Sequence, residues 1–210
     1  DVHGPAPEQA AKAYISDDVP TVEEAIQGAS NIIAERCSEL APYRRFLRSA
    51  FWHDGKLTCT LQEEDEKSQT YLAYKDFHEA IRRLPSHRIL AINRGENQKV
   101  LKVSLEVRTD AYIKRLCQMI IKNTSPYTDI LESAAADSYK RLICPQIERE
   151  IRNELTEKAE KQAIQVFAAN LRSLLLQPPF TGQTILGLDP GYRTGCKAAV
   201  IDSTGAVLAY

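Results

Sequence analysis

The sequence has no excess of charge of either sign, no long apolar run and no paired cysteine motif. Its 27 Lys and Arg residues stand against 28 Asp and Glu, which gives a formal net charge of −1. A basic surface over the whole molecule is therefore excluded, and any contact with nucleic acid must be local. No apolar run approaches the roughly 20 residues that span a bilayer, and no secretory signal opens the chain. We therefore expect a soluble, cytoplasmic protein without membrane contact.

The cysteines lack the pattern of a disulfide framework. There are five, an odd number, and they are widely spread without a C-x-x-C pair: Cys37, Cys59, Cys117, Cys144 and Cys196. This pattern favours reduced thiols in a cytosolic protein over disulfide bonds or a zinc site.

The chain has an ordinary globular composition, with 43% hydrophobic and 26% charged residues. Its 210 residues are enough for a packed core in one or two domains. It begins at Asp1 rather than at a methionine, and it ends at Tyr210 within a predicted strand. We therefore expect it to be a piece of a longer polypeptide.

Apolar residues recur at helical spacing through most of the chain, so the body is predicted to be multi-helical. Thr21 and Glu24 predict a capping box, worth about 1 kcal/mol, at the start of a helix that Pro42 interrupts. Ser86 is predicted to cap a later helix, and Gly95 is predicted to close it in a left-handed conformation. Helices are predicted at about 8–14, 22–41, 43–53, 74–83, 87–94, 109–122, 127–143 and 145–176. A short strand is predicted at 57–61, and a strand or an extended arm at 99–107.

The longest predicted helix begins near Pro145, which suits the first helical position, and runs to about Leu176. At 1.5 Å per residue it would span about 45 to 50 Å. Its apolar stripe recurs every four residues, at Ile147, Ile151, Leu155, Ala159 and Ala163. Its expected i, i+4 ion pairs, worth a few tenths of a kcal/mol each, are Glu148 with Arg152, Glu154 with Lys158 and Glu157 with Lys161. The pattern predicts a strut between domains, ended by the prolines at 178 and 179.

The last stretch, ILGLDPGYRTGCKAAVIDSTGAVLAY, alternates apolar runs with turn residues and predicts a strand, an elbow and a β-hairpin. Asp189 is expected at the C-terminal end of a buried strand, where a carboxylate can bind Mg²⁺ for phosphodiester hydrolysis. Capping or turn formation is its alternative role, because one carboxylate is not a two-metal site. Asp202 is predicted to be a turn residue.

The elbow from Gly191 to Gly195 carries glycines, the Arg193 guanidinium and a hydroxyl, and such a loop can cradle phosphate. A tight link between strands explains the same glycines, so both interpretations stay open. Cys196 has no histidine near it in sequence and is predicted to be a small buried residue rather than a nucleophile.

A basic cluster, which comprises Arg82, Arg83, His87, Arg88, Arg94 and Lys99, has only Glu96 as an acidic residue within it. One interpretation is a nucleic-acid patch on adjacent short helices, in the manner of a helix-turn-helix. The other is a solvated face with ion pairs to the acidic run at 63–66. The sequence favours neither.

Longer motifs carry a family resemblance. The run GLDPGYRTGCKAAVID resembles the start of the YqgF, RNase H-like domain in the Tex family of bacterial transcription accessory proteins. The segments PSHRILAINRGE, DSYKRLICPQIEREIR and LTEKAEKQAIQVFAANLRSLLLQPP resemble the central helical region of that family. These motifs occur in the family's order, and the resemblance covers most of the chain.

The resemblance implies a mainly α fold in three parts. A helical region with helix-turn-helix character occupies 1–144, a long connecting helix occupies 145–177, and the first strands of an α/β RNase H-like domain occupy 178–210. It implies a nucleic-acid-binding, transcription-associated scaffold, here a fragment without a cofactor and without catalysis of its own. The expected partners are RNA or DNA, mainly through modules outside this chain, and the transcription machinery. The residues assigned to nucleic acid are Arg82, Arg83, Arg88, Arg94, Lys99 and Arg193.

The alternative is a metal-dependent nuclease, because Asp189 matches the first-strand aspartate of RuvC-type resolvases. Asp189 would then be one Mg²⁺ ligand, although the resemblance implies that the Tex version of this site is degenerate. A phosphate-binding ATPase of the actin-like superfamily would need a second phosphate loop, which no segment before residue 185 supplies.

Overall fold

The computed structural model describes residues 4–63, 66, 68–178, 180–191, 193 and 195–210. The chain forms two compact units, one up to Ala163 and one from Ile164 onward, which are described separately below. The fold is mainly α, as the sequence predicted.

Helices make up most of the first unit. Three of them join end to end, so that the chain is helical from Thr128 to Leu175 through a π-helical segment. The helices are α1 (Pro7–Ala11, followed by a 3-10 turn at Lys12–Tyr14), α2 (Val22–Glu39), α3 (Ala41–Asp54), α4 (Ser86–Asn97), α5 (Thr109–Ile120), α6 (Thr128–Asp137), the π segment (Ser138–Ile143) and α7 (Cys144–Leu175).

The start of α2 confirms the predicted cap. The Thr21 hydroxyl oxygen accepts a hydrogen bond from the Glu24 N–H at 3.2 Å, which satisfies a donor that the first turn leaves unpaired. The helix ends at Glu39, and Pro42 lies in the first turn of α3, where its missing N–H costs nothing.

A three-stranded antiparallel sheet lies within this helical unit, in the order β2-β1-β3. Its strands are β1 (Lys56–Leu61), β2 (Phe77–Ala80) and β3 (Leu101–Glu106). The strands expected at 57–61 and 99–107 are confirmed as β1 and β3. The helix predicted at 74–83 is wrong, because this segment contains β2 between 3-10 turns at Ser68–Tyr74 and Ile81–Arg83. Asp76 has a φ of 55° and turns the chain into β2, where it pairs with β1.

The predicted ends of α4 are also wrong. Ser86 is the first residue of the helix rather than its cap, and its hydroxyl donates to the Gln162 side chain on α7. Gly95 lies inside α4, and Lys99 is the residue in the left-handed conformation, with a φ of 59°. Gly95 fits here for a steric reason, since a Cβ at that position would lie 2.6 Å from Leu101 Cδ1.

The core of the first unit is built around aromatic rings and the first half of α7. Phe51 stacks on Tyr112 with ring centroids 5.7 Å apart, and the tilted ring of Tyr139 has its centroid 6.2 Å from that of Phe51. The predicted apolar stripe of α7 is confirmed at Ile147, Ile151, Leu155 and Ala159, all of which are buried. The second half of α7 is exposed, and Phe167 keeps 66% of its surface accessible.

Charged residues of α7 bind neighbouring elements rather than each other. Arg152 pairs with Glu96 of α4, and Glu154 pairs with Arg48 of α3 at 2.5 Å. Glu148 accepts a hydrogen bond from the Leu105 N–H of β3 at 2.9 Å. These contacts replace the ion pairs predicted for 148 with 152 and 154 with 158, because an exposed i, i+4 pair is worth only a few tenths of a kcal/mol. Within the described part of the chain, Glu157 and Lys161 form no ion pair, so the pair predicted for them is also wrong.

The second unit contains a three-stranded antiparallel sheet after α7. Its strands are β4 (Ile185–Gly191), β5 (Gly195–Ile201) and β6 (Val207–Ala209), which confirms the predicted strand and hairpin. Tyr192 and Thr194 of the predicted elbow lie outside the described residues. The prediction that Cys196 is buried is wrong, since its side chain is exposed. All five cysteines are unpaired thiols.

Among the described residues, the helices are too short or too polar to cross a membrane.

Candidate nucleic-acid interface

The basic cluster is spread along α4 rather than gathered at one point. Arg82 and Arg83 lie in the 3-10 turn after β2, Arg88 lies in the first turn of α4, and Arg94 lies in its last turn. The 12 residues of α4 span about 18 Å, so the two ends of the cluster are far apart. A strand and a turn precede α4, so the cluster does not lie on two adjacent short helices. All six side chains are exposed: Arg82, Arg83, His87, Arg88, Arg94 and Lys99.

Arg88 is held by two contacts within the fold, an ion pair and a cation–π contact. Its Nη1 lies 2.7 Å from Glu79 Oε2, and its guanidinium lies 5.8 Å from the centroid of the Phe77 ring. The ion pair expected with the run at 63–66 is therefore made with Glu79, and residues 64 and 65 of that run lie outside the described residues. Because this pair neutralises Arg88 locally, Arg88 is the weakest of the assigned phosphate contacts.

Other members of the cluster keep their charge available. Within the described part of the chain, the side chains of Arg83, Arg94 and Lys99 have no ion pair or hydrogen bond. Glu96, the acidic residue among them, is bound to Arg152. These cations are therefore free to bind an external anion.

The fold adds residues that the sequence cluster did not include. The Ile81 N–H donates to the Gly55 carbonyl at 3.1 Å, which fixes the Ile81–Arg83 turn against the junction of α3 and β1. Arg82 Nη1 lies 3.1 Å from His53 Nδ1. A guanidinium only donates, so His53 accepts on Nδ1. Lys56 pairs in register with Ala80, immediately before the turn.

These residues define a basic corner, formed by His53, Lys56, Arg82 and Arg83. Sequence reasoning missed it because the α3–β1 junction and the turn are far apart in the chain. The pairing of β1 with β2 brings the two segments together. This pairing was not expected because 74–83 was predicted to be a helix.

Asp54, the last residue of α3, lies next to the α3–β1 junction and already has partners. Asp54 Oδ2 lies 3.0 Å from Arg108 Nη2 and accepts from the Tyr112 hydroxyl at 3.1 Å. Burial raises the pKa of Tyr112 to about 12, and the Asp54 carboxylate adds to that rise, so the phenol stays a donor at neutral pH. The pairing leaves Asp54 little charge with which to oppose an anion at the corner.

Asp189, the candidate metal ligand, lies within β4 rather than at its end. It pairs in register with Lys197 of β5, and β4 continues to Gly191. The strand was expected to be buried, but Asp189 is exposed. The described residues contain no group of three His, Cys, Asp or Glu side chains arranged to hold a metal ion. Asp189 therefore remains a single candidate ligand.

The structure describes only part of the elbow between β4 and β5, whereas it describes all of the turn between β5 and β6. Arg193 is exposed between β4 and β5, whereas Tyr192 and Thr194 lie outside the described residues. Asp202 is confirmed as a turn residue, because its Oδ1 accepts from the N–H groups of Thr204 at 2.8 Å and Ala206 at 2.9 Å. The Thr204 hydroxyl and these N–H groups lower the pKa of Asp202.

A multi-helical body with a small internal sheet, followed by a second antiparallel sheet after a long helix, defines a mainly α protein. The chain belongs to the Tex family. A family model described as Tex central region-like matches residues 3–167, and one described as Tex protein YqgF-like domain matches residues 183–210.

Relatives in bacteria and animals support this membership. The chain is 48% identical over 204 residues to YdcI of Bacillus subtilis (strain 168), covering 94% of this chain and 28% of YdcI. It is 35% identical over 215 residues to the transcriptional accessory protein Tex of Neisseria gonorrhoeae, covering 96% of this chain and 28% of that protein. It is 42% identical over 214 residues to S1 RNA-binding domain-containing protein 1 of Homo sapiens, covering 93% of this chain and 21% of the human protein. The chain thus spans less than a third of the length of these relatives.

Proposed function

We propose that this chain is part of a nucleic-acid-binding, transcription-associated scaffold of the Tex type. It acts in the cytoplasm of a bacterial cell, binds RNA or DNA together with other parts of the polypeptide, and needs no cofactor. Support comes from the family membership and from the names of relatives, which include a transcriptional accessory protein and an S1 RNA-binding domain-containing protein.

The observation that carries the proposal is the set of exposed cations without local partners. Arg83, Arg94 and Lys99 have no ion pair within the described part of the chain, and Glu96 between them is bound to Arg152. Phosphate contacts release counterions, so such residues give binding that is independent of sequence and weakens with salt. With Arg82, Arg88 and Arg193, they form the proposed set of backbone contacts.

Reversing the charge of cluster residues tests the proposal. The double variant Arg83→Glu with Arg88→Glu should bind a fluorescein-labelled oligonucleotide more weakly, with a shallower dependence on salt, by about 0.7 per lost contact for a single strand. Fluorescence anisotropy over a range of salt concentrations measures both quantities.

The matched control carries the same change of charge on an exposed face of α7, as Lys158→Glu with Lys161→Glu. Because Arg88 is paired with Glu79, a thermal melt must show that the variant is folded. Unchanged affinity and salt slope in a folded variant would reduce the cluster to a solvated face.

The nuclease alternative is tested in the full-length protein. Incubation with single-stranded and branched substrates and Mg²⁺ should give no cleavage if the scaffold proposal is right, because a two-metal site needs more than the carboxylate of Asp189. Cleavage that disappears in Asp189→Asn would establish the alternative instead, with Mg²⁺ as the cofactor.

A further inference from the structure

The sheet of the first unit has one buried face and one open face. Its inner face packs into the core through Leu57, Cys59 and Leu105, which are at most 8% exposed. Alternate residues point the other way, because successive side chains of a strand face opposite sides. This outer face consists of Lys56, Thr58, Thr60, His78, Ala80, Lys102, Ser104 and Glu106.

The outer face is polar across all its strands. In its middle row, the Thr58 hydroxyl contacts the Ser104 hydroxyl at 2.9 Å and the Ser104 carbonyl at 3.1 Å, with His78 as the register partner on β2. In the next row, Lys102 lies opposite Thr60. Antiparallel sheets commonly leave one face to solvent, so an open polar face is also compatible with no function. Whether this face binds a ligand or is only solvated is therefore judged from its charge and its position.

The charge of the outer face is positive and continuous with the basic corner. Lys56 belongs to both surfaces, since it begins β1 and lies beside the turn that holds Arg82 and Arg83. The acidic residue on this face is Glu106, opposite Lys56. Asp54, at the end of α3, is bound by Arg108 and Tyr112. From Lys56 to Thr60, opposite Lys102, the surface extends about 13 Å along β1.

We propose that the outer sheet face and the basic corner together bind the phosphodiester backbone of a nucleic-acid strand. Lys56, Arg83 and Lys102 contact phosphates, and the strand follows β1 from the corner toward Lys102. This inference rests on the proposed function and specifies the surface within the first unit that carries it.

The same surface offers little for reading the bases by stacking. Among the described residues of its outer face there is no Phe, Tyr or Trp, and His78 is the one ring. Phe77 of β2 and the nearby Tyr71 and Tyr74 pack into the core clusters. Sheet surfaces that bind bases use exposed aromatic rings as stacking platforms. Contact through the backbone alone predicts binding that tolerates any sequence and falls steeply with salt.

The test compares double charge reversals that change the net charge equally. The face variant is Lys56→Glu with Lys102→Glu, the helix-end variant is Arg94→Glu with Lys99→Glu, and the control is Lys158→Glu with Lys161→Glu. All of these side chains are exposed. Each is measured in the full-length protein against labelled single-stranded RNA, single-stranded DNA and duplex DNA at several salt concentrations.

We expect the face variant to bind at least roughly tenfold more weakly and with a shallower salt slope, because two charged contacts are lost. The control should bind like the unmodified protein. The milder variant Lys56→Gln with Lys102→Gln avoids placing a new carboxylate opposite Glu106 and should show a smaller loss in the same direction.

The possible failures are distinguishable. If the unmodified protein binds none of the oligonucleotides, the proposed function fails. If binding is lost in the helix-end variant and kept in the face variant, the proposed function stands and this inference is overturned. A polyglutamate peptide that competes as well as an unlabelled oligonucleotide of equal charge would show that the surface recognises acidic protein segments, which also overturns the inference.

Discussion

Two helical glycines of this protein have different surroundings and are expected to respond to alanine in opposite ways. At Gly95 of α4 a Cβ would lie 2.6 Å from Leu101 Cδ1 and 3.0 Å from Tyr71 Cδ1. At Gly28 of α2 it would meet no atom within 4 Å. Substituting alanine at each glycine therefore distinguishes the effect of helix propensity on stability from the effect of packing.

We expect Gly28→Ala to stabilise the protein by up to about 1 kcal/mol, since alanine is the better helix former. Gly95→Ala should destabilise it by about 1 to 3 kcal/mol, because the new methyl group overpacks the cluster of Tyr71, Val100 and Leu101. Urea unfolding followed by circular dichroism measures both values. A stabilised Gly95→Ala variant would show that Leu101 moves aside freely and that Gly95 is not fixed by packing.

At the scale of elements, the sequence predicted most of what depends on local periodicity. The stripe of α7 and the Thr21 cap were read correctly because spacing and capping are properties of neighbouring residues. Strand β2 was missed because it is short and because its extended conformation depends on pairing with β1, which is distant in sequence.

The candidate site was predictable only in part, for the same reason. Arg82 and Arg83 were visible as part of a run of basic residues. The contribution of His53 and Lys56 depends on the hydrogen bond between Ile81 and Gly55, which no periodicity reveals. Ion pairing was equally hidden, since the partners of Arg88 and Arg152 lie on other elements.

At the scale of the whole molecule, the buried core belongs to the first unit. The residues of the main core cluster extend no further along the chain than Ala159, and the side chains of α7 beyond it are largely exposed. The first unit should therefore fold without the residues that follow it.

We expect a chain ending at Ala163 to melt cooperatively, with a midpoint within roughly 2 °C of the first-unit transition in the longer chain, because it loses little buried surface. Thermal melts followed by circular dichroism at 222 nm measure the midpoint. Loss of the cooperative transition would show that residues after Ala163 complete the core.

The hydrogen bond between Glu148 and the Leu105 N–H has a consequence for solubility. Strand β3 is an edge of its sheet, and an edge with free N–H groups is a template on which a strand of another chain can add. Glu148 occupies one of these donors at 2.9 Å and places a carboxylate at the edge. One pairing position on that edge is thus closed to a strand of another chain.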